Sequence, residues 1–284
     1  MNNYLRIFII FAFVASVLSS CFHVNRPEMT DDDYQLKDSK RWGKVDRKEL
    51  DITGFNALDL STNMDIIYTQ ADSFHISIEG NEKVIAHHHV KVEGSTLKDI
   101  ISEDAPRFMP VVRLRVSAPT LTSIEISGTG DLDIINDVSF NDLTIRLAGT
   151  GDIETENIEC GALKIHMSGT GDLDTENIIC HSADVTVEGV GDAKFNKIIN
   201  ESSTNFACSG AGNLKAKVKS TNLKIKALGA GDIDIEASCD NIEALASGTG
   251  TIELSGQTKE LVKKESGLSH IKTSGLLVEK IMMK

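Results

Sequence analysis

The sequence predicts an all-β fold, a parallel β-helix with about 20 residues per rung, on three observations. A glycine-rich phrase recurs toward the C-terminus, as "SGTGDLDI" from Ser127, "AGTGDIET" from Ala148, "SGTGDLDT" from Ser168 and "EGVGDAKF" from Glu188. The first glycines of successive phrases, Gly128, Gly149, Gly169, Gly189, Gly210, Gly229 and Gly248, stand 19 to 21 residues apart, and Gly267 in "SGLSHI" continues the series without its second glycine. Apolar and polar residues alternate on both sides of the phrase, and no part of the repeat has a helical period. A fixed period of this size marks a solenoid, in which each turn buries its apolar face only against its neighbours.

Residues 1–20 lie outside this fold. They join the charged Arg6 to an apolar run that ends in small residues, the pattern of an export signal peptide. The stretch Leu18-Ser19-Ser20-Cys21 resembles the lipobox of bacterial lipoproteins, which makes Cys21 the expected site of lipid attachment. A transmembrane helix fits less well, because the apolar run is shorter than the roughly 20 residues a bilayer requires. Residues 21–50 are polar, as in "TDDDYQLKDSKRWGK", and show no period. They are expected to form a tether, with Trp42 exposed.

Residues 51–120 alternate less regularly and lack G-x-G, so they are expected to supply strands that begin and cap the stack, whose open end would otherwise expose unpaired backbone. Residues 121–284 hold the repeats and a C-terminal capping rung. One interior column runs through Ile124, Ile145, Ile165, Val185, Phe206, Ile225 and Ala244, and a second, two residues on, ends at Cys208, Ala227 and Ala246. After the phrase, Leu132, Ile153, Leu173, Ala193, Leu214, Ile233, Ile252 and Ile271 open a third. Lys263 and Glu265 fall in interior columns of a late rung, a departure that fits a cap. A leucine-rich repeat would show L-x-x-L-x-L with Asn, and a calcium-binding β-roll would repeat its glycines about every nine residues; neither pattern is present.

The net charge is −13, and removing the signal with its one Arg gives −13 − 1 = −14, which disfavours nucleic acid and anionic lipid head groups as partners. A phosphate-binding reading of G-x-G fails because a strand, not a helix, follows each phrase. The glycines are expected to provide positive φ or freedom from Cβ at a tight corner. Asp131, Asp152, Asp172 and Asp192, followed by Asn213 and Asp232, form an acidic column. Carboxylates about 5 Å apart repel by roughly 1 kcal/mol in water, which a charged acceptor bond worth about 1.5–3 kcal/mol can offset. Each Asp is expected to accept from an N–H of its own corner; shared divalent cations are the alternative, which Asn213 and Thr251 in the column disfavour. His87, His88 and His89 cannot converge on a metal from one strand, and are expected to be solvated. Cys160 and Cys180 share a column, where parallel Cβ vectors suit stacked free thiols better than a disulfide while leaving the latter open. Cys208 is interior.

The lipobox, "GFNALDLSTNMDIIYTQ", "LRVSAPTLTSIEISGTGD" and the ladder of G-x-G-D phrases together resemble the GIN domain family, named a putative auto-transporter adhesin head domain, of exported Gram-negative proteins. The resemblance runs from about residue 50 to near 270. It implies a right-handed parallel β-helix and an adhesin-like role, and it carries no catalytic residues. The expected function is therefore that of a non-enzymatic, lipid-anchored protein of the cell envelope, attached to a membrane, expected to be the outer one, through Cys21 and showing regular strand faces to a glycan or an envelope protein. No cofactor, metal or catalytic residue is assigned, and periplasmic and surface orientations stay open. The alternative is a polysaccharide lyase or hydrolase, which needs a cleft walled by long loops with converging acids. Rungs of 19 to 21 residues leave no room for such a wall.

Overall fold

The computed structural model describes residues 39–283 of the chain. They open with the short helix α1 (Ser39–Trp42) and strand β1 (Val45–Leu50), followed by β2 (Ala57–Leu60) and β3 (Met64–Gln70), which form the first turn of a solenoid. Next come β4 (His75–Asn81), the single helical turn α2 (Glu82–Ile85), the hairpin β5 (His88–Glu93) and β6 (Thr96–Ile101), and β7 (Val112–Ala118). The stack then continues through β8 (Ser123–Ile126), β9 (Leu132–Phe140) and β10 (Leu143–Leu147). From β11 (Ile153–Met167) onward, through β12 (Leu173–Val187), β13 (Ala193–Cys208), β14 (Leu214–Ala227), β15 (Ile233–Ala246) and β16 (Thr251–Glu265), each strand runs from one glycine corner to the next, and β17 (His270–Met283) follows the last corner. The architecture is a parallel β-solenoid of about eight turns with rungs of about 20 residues.

Neighbouring rungs pair in parallel and in register, so Ile165, Val185, Phe206, Ile225 and Ala244 lie one above another. Every residue of this column is at most 3% exposed, and each fully buried aliphatic side chain contributes about 1.5–3 kcal/mol of transfer free energy. Volume is traded between rungs: Phe195 stacks between Thr175 and Ala216 and faces Phe206 across its own rung at 6.0 Å between ring centroids. The variation in rung length is absorbed at register shifts, as between Cys180 and Ser182, where the longer β13 bulges. The bulge leaves the corners and interior columns aligned.

At the N-terminal end the parallel order gives way to antiparallel strands. β7 lies parallel to β3, β4 antiparallel to β7, and β1 antiparallel to β4; on the other face β6 lies against β2 and carries β5. This corrects the expectation for the end of the tether. Val45–Leu50 is an edge strand, almost wholly exposed on both faces, so its polar sequence carries no alternation. Trp42 is buried rather than exposed, at 7%. It belongs to the same apolar core as Val84 and Ile85, in a segment fastened by Asn81 Nδ2 to Gly43 O at 3.0 Å and Glu82 N to Lys44 O at 2.9 Å. At the other end Lys263 and Glu265 pair with Ala244 and Ala246 but stay partly solvated, 3.6 Å apart, and Glu265 accepts the Ile271 N–H at 3.0 Å. Cys21 and the signal peptide lie outside the described residues.

Candidate ligand-binding groove

The repeated phrase builds a continuous corner. Apart from the variant Gly267, none of its glycines has positive φ, so freedom from Cβ is what the corner requires. A Cβ on Gly149 would overlap the carbonyl oxygen of Gly128, and one on Gly169 that of Gly149. The close approach serves a hydrogen bond at each step: Thr150 N donates to Gly128 O, Thr170 N to Gly149 O and Val190 N to Gly169 O, each at 3.0 Å.

The acidic column is a second ladder, and its direction differs from the expectation. Each carboxylate accepts from the backbone of the next rung, not from its own corner. Asp152 N donates to Asp131 Oδ1 and Asp172 N to Asp152 Oδ1, both at 2.9 Å, and Asp192 N to Asp172 Oδ1 at 2.7 Å. Asn213 N donates to Asp192 Oδ1 at 2.7 Å, Asn213 Oδ1 accepts from Asp232 N at 2.9 Å, and Asp232 Oδ1 accepts from Thr251 N at 2.7 Å. N–H groups of each corner are already donated to the rung before it, as Thr150 N is to Gly128 O, whereas the Asp N–H of the following rung lies within reach along the stacking direction. Asp65, whose carboxylate accepts the Asp131 N–H at 3.2 Å, begins the ladder although its turn lacks G-x-G. The signal for it in the sequence is the alternation of "MDIIYTQ", which matches the strand after each later phrase.

Two residues beyond this ladder stands an outward column of Asp133, Glu154, Asp174 and Lys194. Burial, then Glu154, Asp131 and Asp65, push the Asp133 carboxyl up to about 6, against the opposing pull of Arg113. At the other end of the column Asp174 is paired, 2.7 Å from Lys194.

Farther along each rung, two outward columns enclose a groove that crosses the strands. One holds Asp137, Asn157, Asn177 and Lys197; the other holds Glu159, Ile179, Ile199, Lys219, Ser238 and Gln257 and ends at Leu277. The groove comprises adjoining hollows of about 370 and 520 Å³ that meet at Lys197, and a third hollow of about 600 Å³ lies on the far side of the column through Lys219, Ser238, Gln257 and Leu277. Each volume lies in the range of small-ligand sites. Amides continue across rungs here, with Asn157 Nδ2 donating to Asp137 Oδ1 at 2.6 Å and Asn177 Nδ2 to Asn157 Oδ1 at 2.8 Å. The sequence reading missed this groove because outward columns carry no burial pattern.

The histidines part as expected, but not all into solvent. His88 Nδ1 lies 2.6 Å from Asp99 Oδ2 with both side chains fully buried, His89 Nε2 lies 2.8 Å from Ser102 Oγ, and His87 lies 3.6 Å from Asp104. The expectation of three solvated histidines is therefore wrong for His88, because the β5–β6 hairpin turns one face onto the core and Asp99, from the paired strand, meets it there. Cys160 and Cys180 are free, buried and directly paired in register. Burial pushes their thiols up to about 12 and about 11, leaving negligible thiolate for chemistry at neutral pH. Cys208 is fully buried and pushed up to about 12 for the same reason.

Solved structures share the fold. A crystal structure titled a putative adhesin from Parabacteroides merdae superposes with a TM-score of 0.72 at 18% identity, over 84% of this chain and 97% of that one. One titled a putative adhesin from Bacteroides fragilis gives 0.59 at 23% identity over the same shares. One titled a putative lipid binding protein from Parabacteroides distasonis gives 0.62 at 19% identity, over 85% of this chain and 97% of that one. No curated protein matches the chain. The family described as "Putative auto-transporter adhesin, head GIN domain" matches residues 54–216 and 195–284, and with the corner ladder, the solenoid and these likenesses in place, the chain belongs to that family.

Proposed function

We propose that the protein is a lipid-anchored, non-enzymatic binding component of the cell envelope, and that the groove across its rungs takes an extended ligand. The continuity of that groove, with side-chain amides, hydroxyls and aliphatic groups recurring at the rung spacing of about 4.8 Å, carries this reading. The adhesin description of the family supports it. Binding rather than catalysis is favoured because two of the three acids lining the groove are occupied: Asp137 accepts from Asn157 and Glu236 pairs with Lys217 at 3.1 Å, which leaves Glu159 without a second acid to act with. Cys21 is the proposed lipid attachment site, and among the described residues no helix is long and apolar enough to cross a membrane.

The test has two arms. Cys21→Ser is expected to release the protein from the membrane fraction, and persistence there after high-salt washing would refute the lipid anchor. The full chain in detergent, presented to an array of glycans and envelope proteins, is expected to retain at least one extended ligand that competes with labelling of a cysteine placed in the groove at Ile179. Retention of none would refute the binding reading.

A further inference from the structure

One part of the groove differs in charge from the rest of the molecule. The chain carries −13 overall, yet the charged residues lining the hollow of about 520 Å³ are Lys197, Lys217, Lys219 and a single acid, Glu236. Glu236 is taken by Lys217 at 3.1 Å. Lysines elsewhere on the same strands are mostly matched across rungs, as Lys194 is to Asp174, Lys215 to Asp234 and Lys224 to Glu243. Lys197 and Lys219 are exposed and make no ion pair among the described residues. Two uncompensated cations therefore sit on successive rungs within an elongated groove.

The groove also restricts how a ligand can be held. Strands β12 to β16 are paired on both sides, so their backbone groups are used by neighbouring rungs and cannot add another strand. A ligand lying along the groove crosses these strands and must be recognised by side chains, which excludes the strand-addition mode that gives peptides most of their affinity. What those side chains offer is amide and hydroxyl groups from Asn177, Ser238 and Gln257, and an aliphatic shelf from Ile179 and Ile199, the former 52% exposed. Amides and hydroxyls match a hydroxyl-rich chain, the shelf matches the apolar face of a sugar ring, and the lysines match its anionic substituents.

We infer that the groove binds one chain of an acidic polysaccharide laid along the solenoid axis, with its carboxylates or sulfates at Lys197 and Lys219. The inference rests on the binding role proposed above and specifies its ligand.

The experiment is calorimetric titration of the full chain in detergent with polygalacturonate, heparin, neutral dextran and poly-glutamate. It is repeated for Lys197→Ala with Lys219→Ala, and for Lys224→Ala with Lys226→Ala, which removes the same charge from the other half of β14. All four lysines point outward, and unchanged thermal unfolding verifies that both double variants fold. Polygalacturonate or heparin is expected to bind, the one assigning carboxylate and the other sulfate as the anionic group. Affinity is expected to fall at least about tenfold in the groove variant and less than about twofold in the control, and to weaken with salt. Equal losses in the two variants, equal affinity for dextran, affinity for poly-glutamate matching that for the glycans, or no binding of either acidic glycan would each overturn the inference. If the acidic glycans fail while the array still captures a groove-competing partner, only the ligand assignment falls; if the array is also empty, the binding role falls with it.

Discussion

Replacing Asp152 by Ala and by Asn separates the two things its carboxylate does. In the structure that carboxylate accepts the Asp172 N–H at 2.9 Å, and it stands between Asp131 and Asp172 in the acidic column. Both substitutions remove the same charge and relieve repulsion of roughly 1 kcal/mol per neighbour in water-like surroundings. Only Ala removes the acceptor. The difference between the variants therefore isolates the bond, at about 0.5–1.5 kcal/mol for a neutral acceptor and up to about 3 kcal/mol if the Asp172 N–H is left without any partner. Asn213 already performs this task at one step of the ladder, accepting from Asp232 N at 2.9 Å, so Asp152→Asn is expected to be as stable as the parent or slightly more so. Urea unfolding measures the stability difference, and amide hydrogen exchange locates it. In Asp152→Ala the Asp172 amide, one rung on, should exchange faster, while the Asp152 amide, held by Asp131, should not. Equal stability of the two variants, or acceleration at the Asp152 amide alone, would refute the inter-rung ladder.

Further outcomes follow from the same geometry. Ile165→Asp, which puts an unpaired charge in a column 3% exposed, is expected to cost at least about 3 kcal/mol, against less than about 1 kcal/mol for its exposed neighbour in Lys164→Asp; equal thermal shifts would disprove the inward assignment. Gly169→Ala drives a Cβ into the Gly149 carbonyl and should lower the melting temperature far more than Ser168→Ala beside it. Asp133, raised from 3.8 to about 6, is destabilising when ionised, so its penalty is present above about pH 6 and disappears as the pH falls toward 4. Asp133→Asn should then add about 1–2 kcal/mol at pH 7.5 and nothing at pH 4, the upper limit of about 3 kcal/mol being reduced by the solvent its carboxylate still sees; a gain that does not depend on pH would contradict the cause given. Millimolar calcium is expected to move the melting point of neither the parent nor Asp152→Asn with Asp172→Asn by more than about a degree or two, since a cation bound only by the folded state would raise it.

What could be read from the sequence was whatever burial or close approach imposes on residue type. Ile145, Ile165 and Val185 announce themselves because an interior column tolerates only apolar side chains at a period of two within a rung and about twenty between rungs. The glycines announce themselves because no other residue fits against the carbonyl below. β1 did not, since an edge strand solvated on both faces carries no alternation, and Trp42 went with it. The His88–Asp99 contact was hidden for a different reason: its partners come from two strands whose hairpin register is invisible until they are paired. Spacing placed the acidic residues in one column but could not say which rung supplies the donor, because the offset of one rung leaves every residue type unchanged.

The same asymmetry bears on where function can reside in such a fold. Interior columns and corners are constrained by neighbours above and below, so a change there propagates through two interfaces of the stack. Outward columns on the flat faces are constrained by little except charge matching across rungs, which is why Lys194–Asp174, Lys215–Asp234 and Lys224–Glu243 alternate in sign from one strand to the next. Exposed pairs of this kind are each worth at most about 1 kcal/mol, so an outward column can give them up without endangering the fold. The break in that matching at Lys197 and Lys219 falls within the groove, on either side of the matched Lys217–Glu236 pair. Stability alone would be served by acids opposite these lysines, as it is elsewhere on the same two strands; their absence at the groove leaves charge available to something outside the chain.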